Sequence, residues 1–197
     1  LEDEGIPLTI ALEWPSEINP SLDSFLNNKE EEPEWRSWDF TKDCDGRISE
    51  EHIKFLQWLK QSNVDLSTDK KHKLFCFSEH GTSWNNRDIR MADNIKSEIK
   101  ANDRRIMIAI MGSLHASKER LVLDGKKYQP LATHLSKQSM VTFKLKYQRG
   151  TFFNYSLQNF NSKCENSIKE NFVEPSHGEG FDYSIVIHCA HAITPIH

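Results

Sequence analysis

The sequence predicts an α/β domain with a mostly parallel central sheet flanked by helices, and three observations carry that expectation. Short apolar runs recur along the 197-residue chain. Stretches with apolar residues at helical spacing lie between several of them. The loops that follow the runs are polar and rich in ionisable residues. Strands alternating with helices build parallel β-α units, because a parallel pair needs a crossover long enough to hold a helix.

The first run, PLTIALEW over Pro7 to Trp14, is bounded by Gly5 and Pro15 and reads as a buried strand ending at Glu13. Pro20 at a helix start, followed by Leu22, Phe25 and Leu26, predicts a short helix, and the acidic run from Glu30 reads as solvated surface. Ser49 before Glu50 and Glu51, with Ile53, Phe55, Leu56 and Leu59 behind, is an N-capped amphipathic helix over 49–61. KLFCFS over Lys73 to Ser78 is a second strand, and its polar loop leads into a helix over 87–101 with Ile89, Ala92, Ile95 and Ile99. RIMIAIM over Arg105 to Met111 is a third strand, ended by Gly112. Pro130 to Leu135 predicts a short helix, Met140 to Tyr147 a fourth strand and Tyr183 to Cys189 a fifth. All five strands are expected in one sheet, within a single domain spanning 1–197. Residues 150–180, rich in Asn, Ser, Glu and Gly, read as an irregular insertion or flap.

A chain of this length buries about 70% of its unfolded surface, so one core suffices. Lys and Arg number 25 against 29 Asp and Glu, a net charge of −4, so nucleic acid and anionic membranes are not expected partners. The apolar runs fall short of the roughly 20 residues that span a bilayer. The first residues, LEDEGIPLTIALEWP, carry acid where a secretory signal carries base, so neither signal peptide nor membrane span is expected. Cys44, Cys76, Cys164 and Cys189 form no CxxC pair, so neither a disulfide framework nor structural zinc is expected; Cys76 and Cys189 read as buried thiols. DCDGRIS imitates a calcium loop, but with Gly46 sixth the twelfth position falls on His52 rather than Glu.

In a parallel sheet the chemistry gathers at the carboxyl ends of the strands. That rule nominates Glu13, Glu79, His80, Arg87, Asp88 and His115 and, at the last strand, His188 and His191. A Glu ending an apolar strand is costly to bury unless a cation, a metal or a histidine pairs with it. Each residue also has a structural alternative: His115 as a hydrogen-bonded turn residue, Arg87 and Asp88 as the opening of a helix, with Asp88 favoured there by the dipole. The concentration of ionisable groups at one edge is what raises the set.

The succession IALEWPSEINPSLDSFL, RDIRMADNI, IMIAIMGSLHA and FDYSIVIHCAHAITP resembles the superfamily of erythromycin esterases, haem-binding ChaN proteins, and TraB and Tiki proteins. The resemblance implies that Glu13 is the Glu ending a core strand, Arg87 the helix-opening Arg, and His115 the His of a Gly-x-x-His turn. Members of the superfamily also begin with a strand and a Gly-Glu-x-x-His motif. None precedes Glu13 in this chain, so the domain as given is expected to lack that first strand: either the motif lies upstream and completes a hydrolytic site, or this member lacks it and a binding role is the expectation.

Three activities follow from the resemblance. An esterase-like site uses His and Glu to activate water and Arg to meet the oxyanion of an ester or peptide bond. A Tiki-like site holds a divalent metal. A ChaN-like site binds haem through His or Tyr without breaking a bond. The expected partner is accordingly a small-molecule or peptide ligand, and the same domain could serve as one module of a larger effector or toxin.

Overall fold

The computed structural model describes residues 6–27, 38, 48–81, 83–135, 138–148, 150–154, 156–160, 170–176 and 180–191, with the backbone alone in 150–154 and 156–160. Among the described residues five helices and ten strands follow one another in a mixed α/β order. Strand β1 (Leu8–Pro15) leads through a 3-10 turn (Ser16–Ile18) into α1 (Asn19–Leu26) and later α2 (Glu50–Ser62). Strand β2 (Lys73–Ser78), α3 (Trp84–Ala101) and β3 (Ile106–Ile110) follow, then the short α4 (Ser113–Ala116). The hairpin β4 (Leu121–Leu123) and β5 (Lys126–Tyr128) precedes α5 (Leu131–His134). The chain continues through β6 (Phe143–Tyr147), β7 (Gly150–Asn154), β8 (Ser156–Phe160), β9 (Phe172–Pro175) and β10 (Tyr183–Ile187).

Strands β2, β1 and β3 form a parallel sheet with β1 in the centre. Because side chains alternate across a strand, the sequence sorts itself between two cores. Ile10, Leu12 and Trp14 of β1 join Leu74 and Cys76 of β2 against Leu22, Phe25 and Leu26 of α1 and Leu56 and Leu59 of α2. On the other face Ala11, Phe75, Phe77 and Met107 meet Met91, Ala92 and Ile95 of α3, closed by Leu131 and Leu135. Side-chain amides grip the backbone of the β2 segment: Asn19 both donates to and accepts from the main chain of Cys76, at 2.9 and 2.7 Å. Asn63 does the same at His72, at 2.9 and 2.7 Å.

The expected single sheet is realised for only three strands. Strands β6 and β10 pair with each other in parallel, and β9 adds antiparallel to β10, which makes a second three-stranded sheet. The stretch expected to be irregular, 150–180, contains the antiparallel hairpin β7–β8 and strand β9. Polar composition concealed these strands, since cross-strand hydrogen bonding does not require an apolar face. Helix α2 starts where expected, with Ser49 as its N-cap accepting from the His52 amide. Helix α3 starts three residues early, because Ser83 rather than a later residue provides the cap. Arg87 and Asp88 therefore sit inside its first turns.

Cys76 is a buried free thiol, and burial pushes its ionisation far up. Cys189 corrects the expectation of a second buried thiol: it is half-buried and disulfide-bonded. The acidic run from Glu30 and most of the calcium-like segment lie outside the described residues. Among the described residues no helix is long and apolar enough to cross a membrane.

Candidate functional site

Alternation along β1 puts Glu13 on the same side as Ala11, which faces α3. Its carboxylate reaches two elements at once. One oxygen, Oε1, accepts from Arg87 Nη2 at 2.8 Å, and the other, Oε2, accepts from the Gly112 amide at 2.8 Å. The strand-ending Glu thus has the cation that its burial requires, and it ties the end of β1 to the turn after β3. Arg87 Nη2 also donates to Ser78 Oγ at 3.0 Å, so the ends of all three parallel strands meet at this point.

From Gly112 the chain turns directly into α4, where the amides of His115 and Ala116 both donate to the Gly112 carbonyl. This turn brings His115 in under the first turns of α3. The imidazole is only 5% exposed. Its Nδ1 lies 2.8 Å from Asp88 Oδ1, and its Nε2 lies 3.5 Å from Glu13 Oε1. Asp88 is fully buried at 0% exposure, and its other oxygen accepts from Tyr128 Oη at 2.6 Å and from the Leu131 amide at 2.7 Å. A buried carboxylate is tolerable when its lone pairs are filled in this way. Burial, first, and then the Asp88 carboxylate raise the Tyr128 phenol well above its ordinary range, so it stays a hydroxyl donor. The Tyr128 oxygen also stands 3.0 Å from His115 Nδ1.

Nδ1 must carry the proton when it donates to Asp88, which leaves Nε2 of the neutral ring as the free base, facing Glu13. Trp84, at the start of α3, lies nearly parallel to the imidazole, with centroids 6.3 Å apart and planes at 17°, and meets Tyr128 edge-on at 6.1 Å. Gly81 lets the loop after β2 approach this turn: an added Cβ there would stand 2.7 Å from the Arg87 amide nitrogen. No side chain fits.

Glu13, Arg87, His115 and Asp88 are therefore together. The other candidates are elsewhere. Glu79 accepts from Ser16 at 2.5 Å and Asn94 at 3.1 Å, and the Ser16 hydrogen bond leads the causes that hold its ionisation low. His80 is exposed, and its carbonyl accepts from Arg90. His188 pairs with Gln148, and His191 is exposed beside Cys189. Sequence reading missed Tyr128 and Trp84. Tyr128 had a legible signal, since Asp124-Gly125 between LVL and KKY is a two-residue hairpin turn, and both residues take positive φ, 50° and 74°.

Among the described residues no group of three or more His, Cys, Asp or Glu is arranged to hold a metal ion. Glu13 is already paired with a guanidinium, and His115 has a carboxylate at each nitrogen and an indole along its ring.

No protein-family model matches the chain, and no curated protein matches it. Among solved structures, a crystal structure of a Bacillus cereus protein is similar, with a TM-score of 0.58 at 10% sequence identity. That similarity covers 99% of this chain and 83% of the other. At such low identity it speaks for a shared fold alone.

Proposed function

We propose that this chain is a hydrolase-like domain of the erythromycin esterase, ChaN and Tiki superfamily, cleaving an ester or peptide bond with His115 as the base. One observation carries the reading: the buried Asp88 carboxylate stands 2.8 Å from His115 Nδ1 and draws the proton of a neutral ring there, so that Nε2, 3.5 Å from Glu13 at the meeting point of the strand ends, is the acceptor. Water bound at Nε2 would lose a proton to it while its oxygen adds to the carbonyl carbon. The Arg87 guanidinium would meet the resulting oxyanion; its Nη2 group is taken by Glu13 and Ser78, which leaves Nη1 and Nε for a ligand. Collapse of the tetrahedral adduct would break the bond to the leaving oxygen or nitrogen, which takes the proton back from Nε2. Glu13 has two duties in this scheme: it aims Arg87, and it stabilises the imidazolium that forms 3.5 Å away.

The test is turnover of a panel of 4-nitrophenyl esters and short peptides by the protein and by His115→Ala. Loss of the base should lower the rate about a hundredfold to ten-thousandfold, with the circular dichroism spectrum unchanged. A chelator should leave the rate unaltered, since the cation at Glu13 is a side chain. Haem titration giving a saturable Soret shift, together with no turnover of any substrate, would replace this reading with the binding one.

A further inference from the structure

We infer that Tyr128 is a positioning residue for His115: its hydroxyl, spent on the far oxygen of Asp88, moderates how strongly that carboxylate holds a proton on the imidazole. That His115 works on a substrate rests on the hydrolase reading. The hydrogen-bond chain from Tyr128 to the ring does not. Two neighbours face Nδ1 of the ring, Asp88 Oδ1 at 2.8 Å and Tyr128 Oη at 3.0 Å. The phenol donates its proton to Asp88 Oδ2 at 2.6 Å, so it turns only a lone pair toward Nδ1 and places its donor on the carboxylate. A donor on a carboxylate draws off negative charge and weakens its pull on the next proton. Asp88 and Tyr128 are 0% and 3% exposed, so water does not take over the contact when the phenol is removed.

The two carboxylates at the ring are balanced differently. Glu13, 3.5 Å from Nε2, is paired with the Arg87 cation. Asp88 accepts instead from neutral donors, Tyr128 and the Leu131 amide, and of these Tyr128 is the one that a side-chain substitution removes. The phenol is also placed with care. Tyr128 sits on the three-residue β5, and the Asn85 side chain grips the peptide groups on both sides of it, donating to the Lys127 carbonyl at 3.2 Å and accepting from the Gln129 amide at 2.9 Å. Trp84 meets the Tyr128 ring edge-on at 6.1 Å. A two-stranded hairpin is at best marginally stable by itself and does not hold a hydroxyl in register. Helix α3 does so here, through the same end that carries Asp88.

The experiment follows the Cε1–H resonance of His115 in the full chain as pH is varied, assigned by its loss in His115→Ala. In Tyr128→Phe the proton affinity read from this titration should rise about two- to tenfold, the worth of one hydrogen bond. Replacing the tyrosines throughout by 3-fluorotyrosine, a more acidic phenol and a stronger donor, should move the titration of the parent the opposite way and leave that of Tyr128→Phe where it was. A residue that only fills space would not give the two signs. Should Tyr128→Phe fail to fold, Asn85→Ala takes its place: with the clamp removed, the fluorotyrosine shift should shrink, and an undiminished shift overturns the proposal. So does an unmoved or lowered proton affinity in Tyr128→Phe, or a fluorotyrosine shift that persists without Tyr128. Turnover separates this from the hydrolase reading. A titration that shifts as expected in a protein that cleaves no ester or peptide keeps Tyr128 in its role and ends the hydrolase reading, and cleavage lost in His115→Ala with no shift in Tyr128→Phe does the reverse.

Discussion

The two three-stranded sheets differ in how they are covered. In β2–β1–β3 the central strand has helices on both faces, and Ala11, Leu12, Cys76 and Phe77 are all buried. In β6–β10–β9 one face holds the buried Ser184 and Val186, while the other presents Phe143, Leu145, Tyr147, Tyr183 and Val173 to solvent. Cover already thins at β3, where Ile106, Ile108 and Ile110 stand exposed along one side. The candidate site sits at the carboxyl end of the doubly covered sheet. A fully buried Asp88 can fix the tautomer of a histidine only where water does not compete for its oxygens. Among the described residues the open sheet has no such place; its His188 is half-buried and His191 exposed.

The two sheets should therefore respond differently to damage. Phe77 is fully buried beneath α3, and Phe77→Ala should cost about 3–5 kcal/mol, the usual range for an aromatic removed from a packed core. Urea unfolding with an unchanged slope would measure it. A loss below about 1 kcal/mol would mean that the sheet carrying the site is not the better packed of the two.

A smaller effect concerns the tie between the sheets. Lys118, three residues after His115, donates to Asp182 Oδ2 at 2.6 Å, and its amide donates to the Gly180 carbonyl at 2.7 Å. Asp182 Oδ2 also accepts from the Thr142 amide at 2.7 Å, just before β6. The Lys118 hydrogen bond is the main cause that holds the Asp182 carboxyl below the ordinary carboxylate range. A carboxyl lowered by folding stabilises the fold above its unfolded pKa, and that contribution fades as pH falls through the lower, folded value. Acid should thus speed hydrogen exchange at the Thr142 amide before it affects β1, at a pH below the usual Asp range near 3.8. Asp182→Asn should remove this pH dependence. Equal protection of Thr142 at neutral and acid pH would show that the tie does not depend on charge.

Sequence made the first sheet legible and the second only half so, for a physical reason. Runs such as IALEW and KLFCFS are apolar on both faces because both faces are covered, and such runs stand out. Strand β9 is largely exposed, and the sequences of β7, β8 and β9 carry no such run. The site followed the same rule. Glu13, Arg87 and His115 were readable as polar groups at the ends of apolar elements, whereas Tyr128 reaches Asp88 from a three-residue strand whose only mark is the Asp-Gly turn before it. From the sequence Asp88 is a secondary site candidate, with a helix-opening residue held by the dipole as the alternative. Its actual partners, His115, Tyr128 and the Leu131 amide, are 27, 40 and 43 residues away, a kind of contact that local pattern does not encode.

The smallest expected effect is on the open face itself. Leu145 is 49% exposed in the middle of β6, across from Ile185 of β10. Leu145→Thr keeps a residue suited to a strand while removing apolar surface that water already touches, so stability should change by no more than about 0.5 kcal/mol. The same substitution should lower the binding of a hydrophobic dye, because the face that loses a leucine is an exposed apolar patch. Both readings follow from solvent reaching this sheet. A loss of about 2 kcal/mol or more would have the size of a core truncation and would mean that Leu145 is covered in solution, by another copy of the chain if the loss vanishes on dilution and by residues of its own chain if it does not. In either case the contrast between a sheet covered on both faces and a sheet covered on one would collapse, and the placement of the site would need another explanation than the dryness of the first.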